Sequence, residues 1–350
     1  MRILYGVQAT GNGHIARARV LARAFSGLST PVDYLLSGRD PKLLFGTEIF
    51  GDFEVRRGLT FCVERGAINY WKTALKLPIA RAVSDISRLD LRRYDLVISD
   101  FEPISAWAAR IKGVPSLGIS HQCAFRYGIP KAENNFVASS VLKAFAPVDY
   151  AVGLHWSSFG FPILPPLIDL DPAPPHAESE NDVVLVYLPF EDPAKILSCL
   201  NQCGDTRFVA YVGLDPSHSS SNVICRPYDK PGFQKDLLQC SGVICNAGFE
   251  LPSECIQLGK RLLVKPVRGQ MEQASNARAL TELRLGHCTD NIDTASIRRW
   301  LGTSRPRPVN FGDVAGKIVE WINAGDFTAI RELSRSAWRG IDMPVPFEAS

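Results

Sequence analysis

The sequence predicts an α/β protein of two units in tandem, each a parallel sheet covered by helices. Three observations predict it. The 350 residues are too many for one ordinary core and suit two domains of roughly 150–175 residues. Short apolar runs alternate with helical patterns in both halves. Between the halves, residues 160–176 read GFPILPPLIDLDPAPPH. Proline fixes φ and has no backbone N–H, so this density excludes helix and central strand and reads as a linker.

The elements follow in order. Residues 3–7 are an apolar strand. Ile15, Ala18, Ala22 and Phe25 then recur at helical spacing. Residues 32–36, 96–99 and 115–119 read as strands, with a helix over 106–112, and 148–153 closes the first unit. The second unit restarts with strands over 183–188, 208–212, 223–225, 243–245 and 261–264, and helices over 194–202, 250–258 and 272–283. After Arg305-Pro306-Arg307-Pro308, residues 312–340 read as terminal helices. The expected divisions are 1–160, a linker over 161–182 with an acidic end, 183–305, and 306–350 returning onto the first unit. In such a tandem a ligand lies in the cleft, at the carboxyl ends of the strands.

Composition narrows the classes. Apolar residues are 46% and charged residues 21%, which excludes disordered and fibrous chains. No apolar run approaches the ~20 residues of a membrane span, and no secretory signal pattern is present, so a cytoplasmic protein is expected. Nine cysteines, odd in number and without C-x-x-C, read as reduced thiols, and no metal site is expected. Residues 1–150 hold 20 Lys/Arg and 13 Asp/Glu, a balance of +7; residues 151–350 hold 19 and 23, a balance of −4. The first half is the one to meet an anion.

Residues 6–19 read GVQATGNGHIARAR, a glycine turn between strand and helix. Helix N-termini present free N–H groups and a positive dipole end, and Gly11 and Gly13 let the backbone approach a ligand. There is no G-x-G-x-x-G and no Walker lysine. His14 sits at this helix start, where a neutral imidazole can take a proton from an alcohol. Asp100, in YDLVISDFEP, leaves a later strand at the same sheet edge. It can orient the imidazole or serve as a helix N-cap. Glu102 and His121, after the strand ending at 119, are placed beside it as acceptor-site residues.

Residues 243–279 read VICNAGFELPSECIQLGKRLLVKPVRGQMEQASNARA. The turn over 246–248, Asn246 to Gly248, puts backbone amides at a helix start, where a diphosphate fits. Glu254, further into the helix, can accept two sugar hydroxyls. Gln270, Glu272 and Gln273 supply hydrogen bonds without apolar bulk. Glu250 reads as a first-turn acid.

Gly-Asn-Gly-His14, VISDF around Asp100 and the second glycine loop together resemble the GT-B glycosyltransferases, most of all their MurG-like group. The resemblance implies GT-B architecture, two Rossmann-like domains with a cleft between them. It implies a donor nucleotide-sugar, UDP-linked, with the diphosphate at Gly248, the ribose hydroxyls on Glu254 and the sugar on Glu272 and Gln273. His14, oriented by Asp100, would be the base. No cofactor or metal is implied; Lys265 and Arg268 would help with the diphosphate. Asn246 departs from the plant-type enzymes, which have a phosphate-binding histidine there. The loop GNGHIARARVLARAF also resembles the UDP-sugar hydrolases of the pseudaminic acid pathway, with their Gly-x-Gly-His-x-x-Arg start. Hydrolase, epimerase and non-catalytic binding protein are therefore the alternatives.

MurG-like enzymes use lipid-linked, cell-envelope acceptors. Residues 65–93 hold seven Lys/Arg against two Asp, with Tyr70, Trp71, Leu75, Leu77 and Ile79 interleaved. This pattern suits an anionic membrane surface at the inner face of the cell membrane, or a solvated helix face. The modest net charge of +3 and the lack of a recognition motif argue against nucleic acid. Asp169-Leu170-Asp171 lies in the linker, away from any strand end, and is discounted as a metal motif.

Overall fold

The computed structural model describes residues 1–28, 30–59, 79–132, 144–170 and 182–344, with the backbone of 63–64 and 67–68. The first lobe runs β1 (Ile3–Gln8), α1 (Asn12–Ser26), β2 (Val32–Ser37), β3 (Phe53–Arg56), a hairpin of β4 (Val63–Glu64) and β5 (Ala67–Ile68), and α2 (Ile79–Arg88). It continues with β6 (Leu96–Asp100), α3 (Pro103–Lys112), β7 (Ser116–Ser120), α4 (His121–Ala124), β8 (Tyr150–Leu154) and β9 (Ile163–Leu164). Its parallel sheet has the order β3-β2-β1-β6-β7-β8-β9. Every residue of β1 and β6 is buried, as expected of central parallel strands covered on both faces.

The second lobe runs β10 (Val183–Tyr187), α5 (Pro193–Asn201), β11 (Arg207–Tyr211), β12 (Val223–Cys225), α6 (Lys230–Gln239), β13 (Gly242–Asn246), α7 (Glu250–Gln257), β14 (Arg261–Lys265), α8 (Met271–Glu282), β15 (His287–Cys288) and α9 (Thr294–Leu301). Its order is β12-β11-β10-β13-β14-β15. Each sheet therefore reverses direction once, between β1 and β6 in one lobe and between β10 and β13 in the other. A crevice opens outside the carboxyl ends at such a switch point.

Residues 163–164 depart from the linker reading. They pair with β8 as β9, the last strand of the first sheet. An edge strand with Pro162 and Pro165 at its ends loses no ladder bond to the missing N–H groups. The chain then returns through α10 (Val314–Ala324) and α11 (Ile330–Trp338). α10 packs along α1, and Thr30 Oγ1 donates to Asn323 Oδ1 at 3.1 Å. Ser334 Oγ and Trp338 Nε1 both donate to the Ile163 carbonyl, at 2.8 and 2.7 Å.

Candidate functional site

A cavity of about 520 Å³ lies between the lobes at the two switch points. Three helices start at its wall: α1 at Gly11 to His14, α7 at Gly248 to Leu251, and α8 at Gln270 to Gln273. None of the three has a side-chain cap. By contrast α3, α4, α5, α6, α9 and α10 are capped by Glu102, Ser120, Asp192, Asp229, Asp293 and Asp313. An uncapped N-terminus leaves donors and the positive dipole end available to a ligand. (α11, which does not line the cavity, is also uncapped.)

His14 and Asp100 meet. Nδ1 of His14 lies 2.7 Å from Asp100 Oδ1. Arg17 Nη2 lies 2.9 Å from the same nitrogen, so the proton on the ring is set by this cluster; in the tautomer with the proton on Nδ1, shared with the carboxylate, the lone pair is on Nε2. Asp100 is fully buried. Arg17 holds both its oxygens, Nε to Oδ2 at 2.7 Å and Nη2 to Oδ1 at 2.6 Å. Burial opposes ionisation of Asp100. The charges of Arg17 and His14, and their hydrogen bonds, outweigh it and hold the carboxyl below its ordinary value. The third arm of Arg17 reaches across the cleft to Glu250 of α7. Arg17 lies three residues after His14, on the same face of α1. The Gly-x-Gly-His-x-x-Arg pattern was the signal for it. Glu250 is thus more than a first-turn acid. Gly13 makes room for it: a Cβ at 13 would come within 2.9 Å of Glu250 Oε2, whereas one at Gly11 would meet nothing within 4 Å.

Two expected acceptor residues have other partners. Glu102, fully buried, is the N-cap of α3, accepting from the Ile104 and Ser105 amides at 2.9 and 2.6 Å and from Ser37 Oγ at 2.7 Å. It does not line the cavity. Because Glu102 caps α3, Asp100 is left to His14. His121 is also fully buried, with Nδ1 at 2.8 Å from the Leu154 carbonyl and Nε2 at 2.6 Å from Asn276 Oδ1. Its ring stacks on Phe249 at 4.0 Å. Both nitrogens are occupied, so His121 joins the lobes.

The second loop is less open than expected. The Ala247 amide donates to Lys265 O and the Gly248 amide to Asn246 O. The donors left at this turn are those opening α7. Above Gly248 the space is clear. Asn246 Nδ2 donates to Glu191 Oε1 and to Lys265 O, at 3.1 and 3.2 Å. Lys265 is paired with Glu191 at 2.8 Å, and Arg268 does not line the cavity, so neither is the expected free cation. Glu254 lines the cavity beside Tyr228. Burial, then the nearby Asp169 and Glu250, push its carboxyl well above the usual range. Gln270 and Glu272 line the cavity too, and Glu272 Oε2 accepts from Gln122 Nε2 of the first lobe at 2.9 Å. Gln273 accepts from the Val267 amide at 2.9 Å, bracing the loop before α8.

At the far end Tyr228 packs between Phe45 and Tyr187, ring centres 5.1 and 5.7 Å away. Asp169 is clamped by Arg19 (2.8 Å), Arg23 (2.6 Å) and Lys230 (3.4 Å), cations from both lobes on one linker carboxylate. Among the described residues no group of His, Cys, Asp and Glu is arranged to hold a metal. Of the basic stretch, residues 65–66 and 69–78 lie outside the described residues. α2 exposes Ile79 and Val83, while Arg92 pairs with Asp90 and Arg93 with Asp33. No described helix is long and apolar enough to cross a membrane.

Residues 1–303 match the family model described as Glycosyl transferase family 1. No curated protein sequence matches the chain significantly. Among solved structures, the calicheamicin glycosyltransferase CalG4 is similar at TM-score 0.57 and 16% identity, covering 97% of this chain and 98% of its own. MurG of Acinetobacter baumannii is similar at 0.51 and 13%, covering 97% and 95%. The glycosyltransferase VinC, solved in complex with dTDP, is similar at 0.51 and 14%, covering 97% and 100%. These likenesses show the two-lobed GT-B fold.

Proposed function

This chain belongs to glycosyl transferase family 1, so sugar transfer is its chemistry, and we propose that the cleft moves a sugar from a nucleoside diphosphate, UDP in our reading, to an acceptor hydroxyl. One observation carries the reading: three uncapped helix N-termini converge with a His–Asp dyad on a single cavity. The N-termini suit an anionic diphosphate, and the dyad suits an alcohol that must lose its proton. The likeness to VinC in complex with dTDP supports a nucleoside diphosphate.

In this reading the diphosphate lies against the first turn of α7. The ribose hydroxyls reach Glu254, the base lies towards Tyr228, and the transferred sugar meets Gln270, Glu272 and Gln273. His14 Nε2 takes the acceptor proton as the anomeric carbon passes through an oxocarbenium-like state. The dipole ends stabilise the departing diphosphate without a metal. Calorimetric titration with UDP, dTDP, GDP and CMP tests the donor. Micromolar binding of UDP above the others is expected, weakened more than tenfold by Glu254→Ala. Binding of none of the four would sink the reading.

We assign the acceptor to a lipid-linked class, taken at the inner membrane face. Exposed Ile79 and Val83 lie one turn apart on α2 with Arg81 between them, next to the basic, aromatic sequence. The protein should sediment with phosphatidylglycerol vesicles and not with phosphatidylcholine ones. Ile79→Glu/Val83→Glu should abolish that sedimentation, and equal recovery with both lipids would refute the membrane contact.

A further inference from the structure

Eight buried polar side-chain atoms lack a hydrogen-bond partner among the described residues. Six of them are hydroxyls or N–H groups. The other two, Gln122 Oε1 and Asn246 Oδ1, are amide oxygens that can only accept, and both residues line the cleft. They come from opposite lobes, Gln122 from α4 and Asn246 from the end of β13. Each residue is 7% exposed. Their orientations are set by the donating ends: Asn246 Nδ2 faces Glu191 Oε1 and Lys265 O, and Gln122 Nε2 faces Glu272 Oε2. Turning either amide over would set oxygen against oxygen.

A buried acceptor left unpaired carries a desolvation cost of about 1–3 kcal/mol, so two on residues that line one cavity point to a ligand that donates. A diphosphate is all acceptors and cannot satisfy them. A hydroxyl can. From this, and resting on the nucleotide-sugar reading, we infer that Gln122 and Asn246 read hydroxyl groups of the transferred sugar, and that Gln122 is a specificity residue supplied by the first lobe. Position 246 then faces the sugar, and the phosphates keep to the α7 amides. The Gln122–Glu272 bond stands where the sugar enters. A hydroxyl inserted there accepts from Gln122 Nε2 and donates to Glu272, while a neighbouring hydroxyl donates to the Gln122 oxygen. The preferred donor is a fully hydroxylated hexose; a deoxygenated one leaves an acceptor unpaired and is rejected.

Calorimetry with UDP, UDP-glucose, UDP-galactose and UDP-N-acetylglucosamine tests this on the intact protein. The wild type should bind at least one UDP-hexose more tightly than UDP. Gln122→Met should weaken that hexose about tenfold and leave UDP within about twofold. Gln122→Asn keeps the amide but withdraws it by one methylene; it should show the same selective loss, with an unchanged melting curve. Equal losses for UDP and UDP-hexose, no loss for either, or a wild type that gains nothing from the sugar would overturn the inference while leaving the nucleotide site standing. A wild type that binds no nucleotide would overturn the donor reading, and this inference with it.

Discussion

Replacing His14 with alanine is expected to lower turnover by about 10²–10⁴-fold, the usual contribution of a positioned general base, while nucleotide affinity stays within about twofold. His14 meets Asp100 through Nδ1 and lines the cavity, and among the described contacts it makes no bond to α7 or α8, where the donor is placed. Steady-state rates and calorimetry on the same preparation separate the two quantities. If affinity for the nucleotide collapsed instead, His14 would be a phosphate ligand and the acceptor base would have to be sought elsewhere.

The second large effect is on stability. Arg17→Met should cost about 3–5 kcal/mol, the range for breaking a buried ion pair by removing one partner, because it strips the cation from two carboxylates at once. Asp100 is fully buried, and Glu250 lies across the cleft. Urea denaturation at pH 7 measures it. The pH dependence carries a sign. In the wild type the Asp100 value is depressed, so its contribution is complete above the ordinary carboxylate value of about 3.9 and is lost as the pH falls through the folded value. Without Arg17 the strongest influence opposing burial is gone and the folded value moves up. The variant therefore recovers part of its deficit on acidification, because protonation removes the unpaired charge. A deficit below about 1 kcal/mol at pH 7, or one that grows in acid, would show that Arg17 does not neutralise this pair.

The sequence displayed much of this fold because the strongest signals were local. The strands at 3–7 and 183–188 are apolar runs buried on both faces, and they need no partner to be seen. His14 and Asp100 came together because each follows a central strand at one sheet edge. What was not legible depended on the other lobe. Nothing near Arg17 in sequence names Glu250, 233 positions away. Nor does anything near Gln122 in sequence name Glu272, 150 positions away. Glu102 follows a simpler rule. In DFEP the capping role falls to the acid directly before the proline that opens the helix, which frees the other acid for chemistry. α6 shows no periodic pattern in the sequence although Asp229 and Pro231 signal its start, because its buried face offers only Phe233, Asp236 and Leu237.

The returning helices have a consequence for how the molecule is made. Ile318, Val319 and Ile322 of α10 and Leu333 and Ala337 of α11 belong to the same core as Leu21, Ala22 and Phe25 of α1. Synthesis is vectorial, at about 5–20 residues per second. Residues 1–170 are therefore complete roughly 10–30 s before the helix that covers α1 leaves the ribosome. During that interval the apolar stripe of α1 has no cover from α10 and α11, and the second lobe is translated in the meantime. The segment that seals the first lobe is translated only after the whole of the second lobe.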